Sequence, residues 1–380
     1  MKIFKKNTSL IIITVLALII VSLFGLTVGI SNPASAQEPT PTPSPSPSPT
    51  IIPPWPPDST PLPGEGITVR PARATWDTGW FQLEVYIRAL EDLGYTVNRP
   101  TTLDNPPFYE SVALGDIDFW VNGWIPLHNS YLENIQDQVE LVGYVAEGGA
   151  LEGYLVDKKT ADEYNITSIE DFKNPEIIAL FDRDGNGLAE LVACPPGWGC
   201  ELVIENHLDA YELRDYVEPI RAQYSVSMAD AISRYESGEP IFFYTWTPNW
   251  TVGILTPGVD VVWISVPFSS LPPDQEQYED ETIISGLVGA AGDQDPINLG
   301  FPANDIRPVA NSEFMEENPA IRALFEAASI PLDDIFAQNA LMFAGEDRET
   351  DIIRHANEWI EENRLSYNTW LYQALSAIEE

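Results

Sequence analysis

Residues 66–100 read GITVRPARATWDTGWFQLEVYIRALEDLGYTVNRP. The short β-branched run at Ile67–Val69 predicts a strand, and Asp77 to Gly94 predicts an amphipathic helix with Trp80, Leu83, Ile87 and Leu90 on one face. Asp77 or Thr78 is placed to cap its start and Gly94 to end it, and YTVNRP predicts a second strand. Strand, helix, strand is the rhythm of an α/β domain.

That rhythm continues through FYESVALGD, IDFWVNGW, LEGYLVDKKTADEY, SIEDFKN, ELVIENHLDAYELRDY, SMADAISRYESG, PIFFYTW and VDVVWISVPF, with apolar runs short enough for buried strands. From about Asn318 the pattern is mostly helical. No repeat at a solenoid period is visible, so one or two sheet-centred lobes are expected. The 380 residues are enough for two domains or one large one with a proper core.

Ahead of the folded part lie two segments of different composition. Residues 1–36 combine a basic start (Lys2, Lys5, Lys6), an apolar run from Leu10 to Ile30 and a small-residue site at Ala34-Ser35-Ala36. They read as an export signal, either removed or kept as a membrane anchor, since the run is near the length of about 20 residues that spans a bilayer. With no cysteine before Cys194, a lipoprotein anchor is excluded. Residues 37–66 alternate proline with Ser and Thr, which predicts an extended, semi-rigid linker. The expected location is outside the cytoplasm, periplasmic or tethered to the outer face of the membrane, with membrane contact only through the first segment.

The chain carries 58 acidic and 19 basic residues, a net charge of −39. Such a surface repels polyanions, which sets nucleic-acid binding aside. The two cysteines, Cys194 and Cys200, meet an oxidising compartment in an exported protein and are expected to pair. They fence the loop CPPGWGC, where Pro195 and Pro196 stiffen the chain, Gly197 and Gly199 relax it, and Trp198 is the one large group. Trp198 is either packed core or a presented ring. The helix predicted next would put the amides of Gly199, Cys200 and Glu201 at its N-terminus, a place suited to an anion.

Two other stretches set a tryptophan beside a proline turn after a predicted strand: NGWIPLH, with Trp124 and His128, and YTWTPNW, with Trp246 and Trp250. In open α/β sheets the ligand crevice lies outside the carboxyl ends of strands, so these rings either line it or simply pack. His128 has no partner at metal-ligand spacing, which argues against zinc. Asp182, Asp184, Asn186 and Gly187 in DRDGNGLAE match the first half of a calcium loop and Glu190 stands at its ninth position, placed to add an oxygen, while Ala193 stands where its bidentate Glu belongs, so the run is either a calcium site or a turn. There is no G-x-S-x-G elbow and no free thiol for covalent catalysis, so no enzyme is expected and no cofactor is required.

The segments RALEDLGYTVN, GWIPLH, GYLVDKKTADEYNI, LFDRDGNGLAEL, PGWGCE, HLDAYEL, ISRYESGEPIFFYTWTPNW and DVVWISVPFSSLP together resemble the glycine betaine/L-proline betaine-binding proteins of ABC importers, the ProX type, over roughly Ile67 to Ala377. The resemblance implies an α/β, two-lobed periplasmic binding protein fold of type II, each lobe a sheet flanked by helices, with the ligand cleft between them. Lobe I would comprise 67–156 and 300–380, and lobe II 157–299. An aromatic cage would fall on Trp124, Trp198 and Trp246, and the donors to a ligand carboxylate on His128, Gly199 and Cys200.

The chemistry of a betaine suits that set. A quaternary ammonium has no N–H to donate, so aromatic faces hold it, at about 0.5 to 2 kcal/mol each when desolvated. The carboxylate end needs donors and separates betaines from choline. The partners implied are a betaine ligand and an ABC permease with its ATPase. Choline or another quaternary amine as ligand, and a sensory ligand-binding module, are the alternatives. Gly123 stands where the family commonly has Asn, and Trp120 lies four positions before Trp124, which would reshape the cleft edge.

Overall fold

The computed structural model describes residues 55–56 and 61–378. The export or anchor segment and most of the proline-rich linker lie outside the described residues. Residues of the linker segment make contacts with the folded part. Gly64 N–H donates to the Leu93 carbonyl at 3.0 Å, and Trp55 donates its indole N–H to the Asp92 carbonyl at 3.2 Å while meeting Tyr372 edge-on at 5.4 Å. Among the described residues no helix is long and apolar enough to cross a membrane.

The elements follow the alternating pattern: β1 (Thr68–Val69), β2 (Ala72–Ala74), α1 (Trp80–Asp92), β3 (Thr96–Val97), β4 (Thr101–Leu103), α2 (Asn105–Ala113), β5 (Phe119–Ile125), α3 (Asn129–Leu132), β6 (Val139–Leu141) and β7 (Ala146–Asp157). Next come α4 (Lys158–Tyr164), α5 (Pro175–Phe181), β8 (Ala189–Val192), α6 (Gly199–Ala210), β9 (Val217–Ile220), α7 (Tyr224–Glu236), β10 (Phe242–Thr247), α8 (Thr251–Ile254) and β11 (Val261–Ile264). The chain closes with β12 (Ile283–Ile284), β13 (Ile297–Asn298), β14 (Asn304–Asn311), α9 (Ser312–Glu317), α10 (Pro319–Ala327), α11 (Leu332–Phe343), α12 (Glu349–Glu362) and α13 (Arg364–Ser376).

The opening unit β1–α1–β3 is a parallel crossover, as its sequence predicts. Gly94 ends α1 at φ +89°: its N–H meets the Glu91 carbonyl and Tyr95 N–H reaches back to Leu90, the double closure that only a left-handed residue allows. The start of α1 differs from expectation. Asp77 to Gly79 form a turn of 3-10 helix, and neither Asp77 nor Thr78 caps α1. Trp80 is half-buried rather than in the apolar stripe, with the Arg73 guanidinium 3.8 Å above its ring. FYESVALGD falls largely within α2, so its apolar residues serve a helix face.

The main sheet runs β5-β14-β7-β10-β8-β9, with β6 joined to β14 and β11 to β7. β7 is its seam. Ala146 and Ala150 pair with β14, whereas Leu151 to Val156 pair antiparallel with β10. β10, β8 and β9 are parallel and bury their apolar runs between helices, while β5 and β14 pair antiparallel. Gly123 belongs to this pairing: a Cβ there would lie 2.4 Å from Val309 Cγ2 and 3.0 Å from the Arg307 carbonyl oxygen. Its glycine lets β14 approach.

Candidate ligand-binding site

Strand ends and one helix start meet at a pocket of about 290 Å³. β5 delivers Trp124 and then Leu127 and His128; β10 delivers Tyr244 and Trp246; β7 contributes Glu152; the segment after β2 adds Trp76. The loop after β8 supplies Trp198, Gly199 and Cys200. All six residues expected at the site, Trp124, His128, Trp198, Gly199, Cys200 and Trp246, line it together.

The Cys194–Cys200 disulfide is formed, with Cα atoms 6.1 Å apart. Inside its loop Gly197 takes φ +89° and its N–H donates to the Glu201 carboxylate at 2.9 Å, tying the loop to the first turn of α6. Trp198, as N-cap residue, sets Gly199 and Cys200 at the first two helical positions, whose N–H groups have no intrahelical acceptor. Glu201 N–H closes back on the Trp198 carbonyl at 3.2 Å, so of the three amides expected at an anion site it is already engaged.

The rings form a continuous wall. Trp198 meets Trp76 edge-on at 5.2 Å and Trp246 at 5.6 Å. Its indole N–H donates to Thr75 Oγ1 at 2.9 Å. Asn122 Oδ1 accepts from two indoles, Trp76 at 2.5 Å and Trp124 at 3.1 Å. Trp120, expected at the cleft edge, is instead fully buried: it stacks on Phe108 at 3.7 Å and supports Trp76 edge-on from behind at 5.6 Å. Trp250 stacks on Phe343 and borders, with Trp76, Trp198 and Trp246, a second and wider pocket of about 1010 Å³.

His128 is 1% exposed, and burial drives its pKa down to about 3, so the ring is neutral. The Trp124 amide can only donate, and it lies 3.2 Å from Nδ1; Nδ1 is therefore the acceptor and the ring proton sits on Nε2. The Tyr109 hydroxyl is 3.1 Å from Nδ1, and Nε2 is 3.0 Å from Asn105 Nδ2; two donors cannot bond there, so either the Asn105 amide turns its unpartnered Oδ1 to the ring proton or a ligand carboxylate takes it. A neutral Nε2–H beside two helix-start amides is a donor set for a carboxylate.

Sequence reasoning missed Trp76, Leu127, Glu152 and Tyr244. Trp76 follows β2 as Trp124 ends β5, so the strand-end rule applied to the other tryptophans would have found it. Glu152 is a lone acid in the apolar run GALEGYLV, a signal that passed unread.

The calcium reading of the Asp182 loop gains no support. Among the described residues no group of three or more His, Cys, Asp or Glu is placed to hold a metal ion. Asp182 accepts from the N–H groups of Gly185, Asn186 and Gly187, Asp184 accepts from Asn186, and Glu190 pairs with Arg183. The donors are used to fold a turn.

Residues 67–362 match the family described as the substrate binding domain of ABC-type glycine betaine transport systems. The chain is 43% identical over 317 residues to the glycine betaine/proline betaine-binding periplasmic protein of Salmonella typhimurium, covering 83% of this chain and 92% of that protein. Against the Escherichia coli protein of the same description the figures are 44% over 320 residues, 83% and 92%. A lactococcal protein solved closed on glycine betaine shares the fold at TM-score 0.60 and 19% identity, over 80% of this chain and 99% of its own. A choline-binding protein solved with choline does so at TM-score 0.63 and 18% identity, over 82% and 96%. A family match spanning most of the folded residues, with relatives this similar over nearly their whole length, shows that this chain belongs to the substrate-binding domains of ABC-type glycine betaine transport systems.

Proposed function

We propose that this chain is an exported solute-binding protein that captures glycine betaine, proline betaine or a related quaternary ammonium osmoprotectant outside the cytoplasm and delivers it to the permease and ATPase of an ABC importer. The observation that carries this is the pocket itself, which the rings of Trp124, Trp198 and Trp246 line together with Gly199, Cys200 and His128. The rings take the methylated cation through their faces, and the amides and imidazole take the carboxylate. The role is capture and release, without chemistry on the ligand.

The two-lobed division, 67–156 with 300–380 against 157–299, is part of the same proposal. The change of partners within β7 between Ala150 and Leu151, after which β7 pairs with β10 and β11, supports a crossover about six residues before that boundary, and Gly199 lies against His128 as closed lobes would hold it. Calorimetric titration of the full-length protein with glycine betaine, proline betaine and choline tests the reading. Binding of a betaine at about micromolar affinity, on the order of −8 kcal/mol, is expected; no binding of any of the three would overturn it.

A further inference from the structure

Glu152 is the one carboxylate in the pocket wall, and capture of a zwitterion as described above makes no use of it. In the register of β7 and β10 it stands directly opposite Trp246, so both side chains leave the same face of the sheet, with Cβ atoms about 5 Å apart. Tyr244, two residues from Trp246 and on that face too, donates its hydroxyl to Oε1. Asn304 of β14 donates its amide to Oε2 at 2.9 Å and accepts from Leu127 N–H at 3.0 Å, which joins Glu152 to the segment carrying His128.

The carboxyl is 1% exposed, and no Lys or Arg lines the pocket. The titratable groups around it are Tyr244 on β10, Tyr154 on its own strand and His128 beyond β5. Burial holds both phenols well above their ordinary range and the imidazole neutral. β11, α4 and α11 also pack on β7 but put no residue in the pocket wall. Burial raises the Glu152 carboxyl to about 7, against the pull of its two hydrogen bonds. A buried acid with two neutral donors and no counter-ion adjoins the wall where an onium group would sit.

We propose that Glu152 is the counter-ion for a ligand's onium group, ionising as a net cation enters the pocket and keeping its proton when the ligand brings its own carboxylate. The inference rests on the onium-binding reading of this pocket. In the step the carboxylic acid loses its proton to solvent and becomes carboxylate, and no bond of the ligand changes. Choline has no group that titrates near neutrality, so its binding follows Glu152. Against the neutral acid it is held by the rings alone; against the carboxylate it gains a charge partner, so binding tightens as pH rises. Glycine betaine, with no net charge, gains less.

Calorimetry on the full-length protein with choline and glycine betaine at pH 5.5, 7.0 and 8.5 tests this. The ratio of affinities should move about tenfold toward choline from the lowest pH to the highest. Choline binding near pH 6.5 should release part of a proton, read by comparing heats in buffers of different ionisation enthalpy. Glu152→Gln keeps the shape and should flatten the ratio. A wild-type ratio that does not move, an equal movement in Glu152→Gln, or choline binding without proton release would each overturn the inference while leaving the pocket's onium reading intact. Failure of both ligands to bind at every pH would overturn that reading and this inference with it.

Discussion

Gly199→Ala adds one methyl group where the start of α6 faces the segment after β5. A Cβ at that position lies 2.9 Å from His128 Cδ2, 2.9 Å from Leu127 Cγ and 3.2 Å from Leu127 Cδ2. Carbon atoms in contact settle about 3.5–4.0 Å apart, so the helix start must back away by about 0.6 Å or more. The amides of Gly199 and Cys200 move with it. A hydrogen bond to a charged group contributes about 1.5–3 kcal/mol, and stretching two of them by that distance removes on the order of 2 kcal/mol. Glycine betaine should therefore bind about 30-fold more weakly by calorimetry. Choline, with no carboxylate for those amides, should lose only a few-fold. Overpacking costs about 1–3 kcal/mol of stability, partly offset by about 0.4–1 kcal/mol from the stiffer unfolded chain, so the variant remains folded. Unchanged betaine affinity in a folded Gly199→Ala protein would refute the assignment of these amides to the carboxylate.

Trp198→Ala should abolish detectable betaine binding with an unchanged far-UV spectrum, whereas Trp198→Phe should keep a measurable part, since a ring face of about 0.5 to 2 kcal/mol survives; equal losses would argue against a cation–π role. His207, buried with Nδ1 2.8 Å from the Tyr154 hydroxyl and Nε2 3.1 Å from the Gly300 carbonyl oxygen, is lowered by burial to about 3. The unfolded chain takes up this proton near pH 6.5 and the folded one does not, so stability is full above that pH and falls as pH drops toward 3, by up to about 1.4 kcal/mol per unit. Urea unfolding between pH 6.5 and 4.5 should show a slope shallower by about that much in His207→Gln; identical slopes would contradict it. Reduction of Cys194–Cys200 should remove about 2 kcal/mol of stability, as expected for so short a loop. It should weaken betaine binding without unfolding the protein; unaltered binding would show that the bridge does not shape the site.

The α/β order was legible because buried strands and amphipathic helices leave different periods in the chain, and Gly94 marked the end of α1 through its left-handed backbone. The start of α1 was not, because Asp77 and Thr78 sit in a tighter turn that uses them before any cap can form. At the site, Trp124, Trp198 and Trp246 were legible one by one, each beside a proline turn. Glu152 was not, since its relation to Trp246 is a matter of strand register across 94 positions that no local pattern encodes. Trp120 illustrates the reverse case: its spacing from Trp124 pointed toward the cleft, but residues an even number apart share a face only while a strand stays regular. The pairing of β5 with β14 shifts register between Arg307 and Val309, opposite this stretch.

Asn122 offers a single oxygen to the indole N–H groups of Trp76 and Trp124, and both of its lone pairs are thereby occupied. Neither ring can swing away without breaking its bond to the atom that also holds the other. The two walls are thus ordered before any ligand arrives, and binding is spared the loss of rotamer freedom, about 0.5–1.5 kcal/mol for each large side chain that would otherwise be immobilised. Affinity then depends on a residue that no ligand touches, and a change at Asn122 would loosen the grip on every onium compound alike.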